Sequence, residues 1–125
     1  MNHFPLLIKP VSSDCNLRCE YCFYLGKGGS LYPGVGRHRM NNVVLESLIG
    51  KYMATDQPVY TFIWQGGEPT LMGPEFFKTA VNLQKLKGRK GARVANLLQT
   101  NCTNISPELI AVLKEYKFLL GVSLD

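Results

Sequence analysis

Nowhere in the 125 residues does an apolar run approach the roughly 20 positions a membrane helix needs. Phe4 to Ile8 is too short, and too soon interrupted by Lys9-Pro10, to be the apolar core of a secretion signal. Low-complexity tracts, interdomain linkers and any repeat beyond a strand–helix unit are also missing, so one compact domain is the ceiling at this length. Acidic residues are the minority, 9 against 14 Lys and Arg, for a formal charge of +5. The densest basic patch, Lys85, Lys87, Arg89, Lys90 and Arg93 with Gly88 and Gly91, has no aromatics interleaved with it. It therefore lacks the stacking platforms of a nucleic-acid footprint and reads as a solvated helix end, where the macrodipole favours cations. Histidine is scarce: His3 and His38 have no cysteine or carboxylate at ligand spacing. These absences predict a cytoplasmic protein with neither a membrane nor a nucleic-acid partner.

Cysteine is rare but concentrated. Cys15, Cys19 and Cys22 fall within eight residues, leaving only Cys102 elsewhere. In a reducing compartment such a cluster reads as metal-binding or catalytic rather than disulfide-forming. Three thiolates separated by three and then two residues can converge on one centre. A structural zinc site closes with four ligands, so zinc would need Cys102, His3 or His38 as the fourth. An iron–sulfur cubane held by three thiolates would instead keep one iron open to a substrate or cofactor.

The rest of the chain alternates. Phe4 to Lys9, stopped by Pro10, predicts a strand feeding the cysteine stretch, and residues 26 to 39 hold too much glycine for a helix or strand interior. After Asn41 or Asn42, either a plausible cap, Val44, Leu45, Leu48, Ile49, Tyr52 and Met53 recur at helical spacing. Val59 to Trp64 is β-branched and aromatic, predicting a strand buried on both faces. Gly73-Pro74-Glu75 opens a second helix carrying Phe76, Phe77, Ala80, Val81 and Leu83 inward. Val94 to Leu98 is a third strand, Ser106-Pro107-Glu108 caps a third helix, and Phe118 to Leu124 reads as a fourth strand covered on both faces. Strict alternation implies an α/β fold with a parallel sheet and right-handed crossovers, which places ligands at the carboxyl ends of the strands. The cysteine stretch, Gln65 to Thr70, Gln99-Thr100-Asn101 and Ser123 all fall at that rim. Gly66-Gly67 would let the main chain turn sharply there and approach a ligand without Cβ clashes.

The C-x3-C-x2-C spacing followed by Phe23 resembles the cluster loop of radical S-adenosylmethionine (SAM) enzymes. Leu7-Ile8-Lys9-Pro10, Cys22-Phe23-Tyr24, Gln65-Gly66-Gly67-Glu68-Pro69-Thr70, Leu98-Gln99-Thr100-Asn101 and Gly121-Val122-Ser123-Leu124-Asp125 sharpen the resemblance to the anaerobic sulfatase-maturating enzymes, over nearly the whole chain. The resemblance implies a partial (βα) radical SAM barrel, its N-terminal half, with about four parallel strands and three helices. Cys15, Cys19 and Cys22 would hold a [4Fe–4S] cluster whose open iron binds the amino and carboxylate groups of SAM. Reductive cleavage would give a 5′-deoxyadenosyl radical, and a sulfatase cysteine or serine would be oxidised to formylglycine.

Carried over by resemblance, the carbonyls of Gly66 or Gly67 and the Glu68 carboxylate meet the SAM amino group, with Glu68 also able to brace its loop. Tyr21 meets the adenine, Ser123 lies near the methionine and ribose with Asp125 a weaker candidate, and Tyr24 reaches substrate or cofactor. Gln99 and Asn101 line the pocket or cap turns. Cys102, where relatives usually carry glycine, is expected to be small and partly buried. The implied partners are a sulfatase polypeptide and a small reductant protein of flavodoxin or ferredoxin type. Family members are longer, so residues 1–125 correspond to the N-terminal portion of the radical SAM core. The substrate base, the remaining barrel and a C-terminal auxiliary-cluster domain would lie outside it, and no catalytic base is expected in this chain. Two alternatives stand beside this reading: another peptide-modifying radical SAM enzyme and, in a different class, a zinc-stabilised binding module.

Overall fold

A computed structural model describes residues 3–12 and 38–122. The three clustered cysteines, Tyr21, Tyr24, Ser123, Asp125 and nearly all of the glycine-rich stretch lie outside the described residues. Strand β1 is Leu6–Ile8, followed by helix α1 (Asn42–Met53), β2 (Tyr60–Trp64), a 3₁₀ turn (Pro69–Met72), α2 (Pro74–Lys87), β3 (Val94–Thr100), α3 (Pro107–Glu115) and β4 (Leu119–Val122). The four strands form one sheet in the order β1-β2-β3-β4, every pair parallel. Sequential order with right-handed crossovers carries the helices over a single face.

Register separates the two faces. Ile8, Trp64, Leu98 and Leu120 are aligned across the sheet and belong to the helix-covered side. Leu7, Ile63, Leu97 and Leu119 form the neighbouring row on the open side. The core lies under the helices: Phe62, Trp64, Leu45, Ile49, Phe77 and Ala80 are each 0% exposed. On the open side Leu7 is 52% and Leu119 66% exposed. Two expectations are thereby corrected. β2 alternates between buried and half-buried residues instead of being covered on both faces, because none of the described helices packs over the row containing Thr61 and Ile63. β4 has no fully buried residue, with Leu119, Leu120 and Val122 all exposed.

The helices begin where their caps require. The Asn41 side chain accepts a hydrogen bond from Val44 N at 2.8 Å, and Ser106 Oγ accepts one from Leu109 N at 3.1 Å. In α2, Pro74 occupies the first turn, where its missing N–H leaves no bond unmade. Polar groups inside the core are paired. Asn96 and Gln84 face each other amide to amide, Gln84 Nε2 donating to Asn96 Oδ1 at 2.8 Å and Asn96 Nδ2 to Gln84 Oε1 at 2.9 Å. Trp64 Nε1 donates to the same Asn96 oxygen at 3.0 Å. β2, β3 and α2 are thus tied by buried, mutually paired polar groups. No described helix is long and apolar enough to cross a membrane.

Candidate functional site at the carboxyl rim of the sheet

Three strands deliver their following loops to one rim. β1 leaves through Lys9, Pro10 and the fully buried Val11 into a tight turn, where Ser12 N donates to Lys9 O at 3.1 Å. Ser12 takes a left-handed backbone, φ 55°. Its carbonyl accepts a hydrogen bond from Gly67 N at 2.9 Å, while Gln65 N donates to Ile8 O at 2.9 Å. Met40 N donates to Pro10 O at 2.8 Å. The segment that carries Cys15, Cys19 and Cys22 therefore departs and returns at the same rim. Its departure point is bonded to the glycine turn.

Gly66 has φ 109°, and a Cβ built there would lie 2.6 Å from the Ser12 carbonyl oxygen. The residue must be glycine both for its backbone angle and for its contact with Ser12. Glu68 follows, 1% exposed. Its Oε2 accepts from Thr70 N at 3.2 Å, from the Thr70 hydroxyl, and from Thr100 Oγ1 at 2.6 Å. Its Oε1 accepts from Asn101 N at 2.8 Å. The carboxylate thus caps the 3₁₀ turn and ties it to the end of β3. A parallel tie runs from Asn104 Nδ2 to Thr70 O at 3.1 Å. These bonds brace the loop after β2 against β3.

The other rim residues divide. Asn101 Oδ1 accepts from Thr103 N at 3.0 Å and from Thr103 Oγ1 at 2.8 Å, an Asx turn that closes the loop after β3. Gln99 lies on the open face, where its carboxamide rests over Gly121; a Cβ on Gly121 would collide with it. Cys102 departs from expectation: it is exposed, with φ 60°. The turn needs a left-handed residue at the rim, a position glycine fills without strain, and this pushes the thiol outward. Among the described residues, no three His, Cys, Asp or Glu side chains lie together as a metal site. Ser12 and Asn104 are site residues that sequence reasoning missed, and Thr70 and Thr100, though placed at the rim, were not expected to pair with Glu68. Their pairings span up to 55 positions, as from Ser12 to Gly67, and no local pattern marks them.

A family model for the Radical SAM superfamily matches residues 10–125. The chain is 42% identical over 122 residues to a serine-type anaerobic sulfatase-maturating enzyme of Bacteroides thetaiotaomicron, covering 96% of this chain and 29% of that protein. It is also 42% identical over 123 residues to a cysteine-type anaerobic sulfatase-maturating enzyme of Clostridium perfringens, covering 96% of this chain and 32% of the relative. Among solved structures it resembles native anSMEcpe with bound AdoMet and Cp18Cys peptide, with TM-score 0.84 and 40% identity over 99% of this chain and 32% of that one. The chain thus spans about a third of the length of these relatives.

Proposed function

This chain belongs to the radical SAM superfamily, and on that premise we propose that it is the cluster- and SAM-binding part of an anaerobic sulfatase-maturating enzyme. Cys15, Cys19 and Cys22 hold the cluster. Three thiolates fit a [4Fe–4S] cubane that leaves one iron open, and the reading is supported by the described residues on either side of their segment, Ser12 and Met40, lying at the strand ends where a parallel sheet binds ligands. The cluster, when bound, supplies the electron that breaks a carbon–sulfur bond of SAM. The Gly66 and Gly67 carbonyls receive the SAM amino group at a turn too tight for any side chain, and Glu68 holds that turn in place. Tyr21 meets the adenine and Ser123 the methionine and ribose. No residue of this chain is assigned as the base on the substrate. The substrate is a sulfatase polypeptide whose cysteine or serine becomes formylglycine, and a flavodoxin- or ferredoxin-type protein supplies reducing electrons in the cytoplasm.

The observation that carries this reading is the Ser12–Gly67 bond, which joins the base of the cysteine segment to the glycine turn. The test is anaerobic reconstitution with iron and sulfide. We expect one [4Fe–4S] cluster, lost in Cys15→Ala, Cys19→Ala or Cys22→Ala and retained in Cys102→Ala, whose thiol is exposed. SAM is expected to change the reduced cluster's electron paramagnetic resonance spectrum. One tightly held zinc with no acid-labile sulfide, or a spectrum unmoved by saturating SAM, would overturn the reading.

A further inference from the structure

Among the described residues Glu68 is the most deeply buried charged side chain at the rim, 1% exposed, and its oxygens accept from four donors. An ionised carboxylate offers about four lone-pair directions. Here four donors occupy them: Thr70 N, the Thr70 hydroxyl, Thr100 Oγ1 and Asn101 N. The Thr100 proton is committed to Glu68, since the same hydroxyl oxygen accepts from Cys102 N at 3.1 Å. Two donors come from the loop after β2 and two from the end of β3. Bonds from N–H and O–H groups to a charged, water-excluded acceptor are among the strongest that neutral donors make. On its other side the glycine turn is pinned to Ser12 through Gly67 N. The described start of the loop after β1 and the loops after β2 and β3 are therefore bonded to one another, with Glu68 at the joint.

We infer that Glu68 is a positioning residue: it sets where the Gly66 and Gly67 carbonyls stand, through Thr100, and does not itself touch the bound cofactor. This inference rests on the SAM-binding reading above. A ligand ammonium reaching Glu68 would have to displace one of four protein donors from a group that solvent does not reach. Thr100 thereby becomes a determinant of cofactor affinity although its hydroxyl faces away from the open side of the sheet, in register with Val122.

The experiment compares Thr100→Val, which keeps the shape and removes the donor, with Thr100→Ser, which keeps the donor. Glu68→Gln and the Glu68→Gln/Thr100→Val double variant complete the set. Each is reconstituted to the same iron and sulfide content. SAM dissociation constants and the SAM-induced spectral change of the reduced cluster are then measured, with hydrogen exchange at the Asn101 amide as a structural readout. Losing one bond to the buried carboxylate is expected to weaken SAM binding about tenfold in Thr100→Val, with Asn101 exchange accelerated. Thr100→Ser should restore both. The double variant should bind no worse than Glu68→Gln alone, because both substitutions break the same joint. Parental affinity in Thr100→Val beside lost affinity in Glu68→Gln would overturn the inference and make Glu68 a direct ligand. Parental affinity in Glu68→Gln would overturn it as well. A parent protein that holds the cluster and ignores SAM would defeat the cofactor reading itself, before any substitution is compared, and this inference with it.

Discussion

Replacing Gly66 with alanine tests the rim at its tightest point. At φ 109° an L-residue is outside the left-handed helical well, and forcing one there costs about 1–3 kcal/mol. The new methyl would sit 2.6 Å from the Ser12 carbonyl oxygen, backbone that cannot swing aside as a side chain could. Relief requires Ser12 to retreat, which breaks its 2.9 Å bond from Gly67 N and costs roughly a further 1 kcal/mol. A total near 3 kcal/mol is a large fraction of the stability of a domain this size and lowers the melting temperature by about 10–15 °C. Gly91 is the internal control. Its φ is 82°, but nothing lies within 4 Å of a Cβ built there. Gly91→Ala therefore carries the backbone cost alone, roughly 1 kcal/mol, or about 5 °C. The assay is thermal unfolding by circular dichroism of both variants beside the parent. A Gly66→Ala protein melting within about 2 °C of Gly91→Ala would refute the claim that the turn is packed against Ser12.

Two further predictions address the parts that hold the rim up. Asn96→Leu strands the Trp64 indole N–H and the Gln84 amide in the core and should cost about 3 kcal/mol in urea unfolding. Pairing it with Gln84→Leu should recover part of that loss, and a single variant as stable as the parent would show that the amide pair is not the joint described here. Asn41→Ala removes the acceptor for Val44 N and should cost about 1 kcal/mol in urea unfolding, and a variant as stable as the parent would show that the cap contributes nothing to α1.

The frame of the fold was legible because its signals are local. Asn41 and Ser106 cap the helices they precede, Pro74 and Pro107 start theirs, and of the expected stripe of α1 Leu45, Ile49, Tyr52 and Met53 are buried, Leu48 is half-buried and Val44 is exposed. Strand faces were harder to read. Val59 to Trp64 and Phe118 to Leu124 are continuously apolar, and such a run does not say which alternate residues a helix will cover. The structure decides it by putting all three described helices on one side. Cys102 was misjudged for a related reason: a small residue suggests burial, but its position in the turn after β3 calls for positive φ and turns the thiol to solvent.

The rim was legible as a set of motifs, not as a mechanism of support. Gly66-Gly67 announces a turn from composition alone, whereas the reason for glycine at 66 is a carbonyl 54 positions earlier. Glu68 shows the difference most sharply. In the sequence its neighbours are glycine and proline, and both a contact with the SAM ammonium and a brace for its loop were open to it by resemblance. In the structure its oxygens are occupied by Thr70, Thr100 and Asn101. Two of those partners lie more than 30 residues away, so their meeting depends on β2 and β3 being adjacent and in the observed register. A shift of one residue in that register would move Thr100 to the other face of the sheet and leave a buried carboxylate short of donors, an arrangement costing more than the loss of any single bond. The same carboxylate that organises the rim therefore also selects the pairing of the strands that build it.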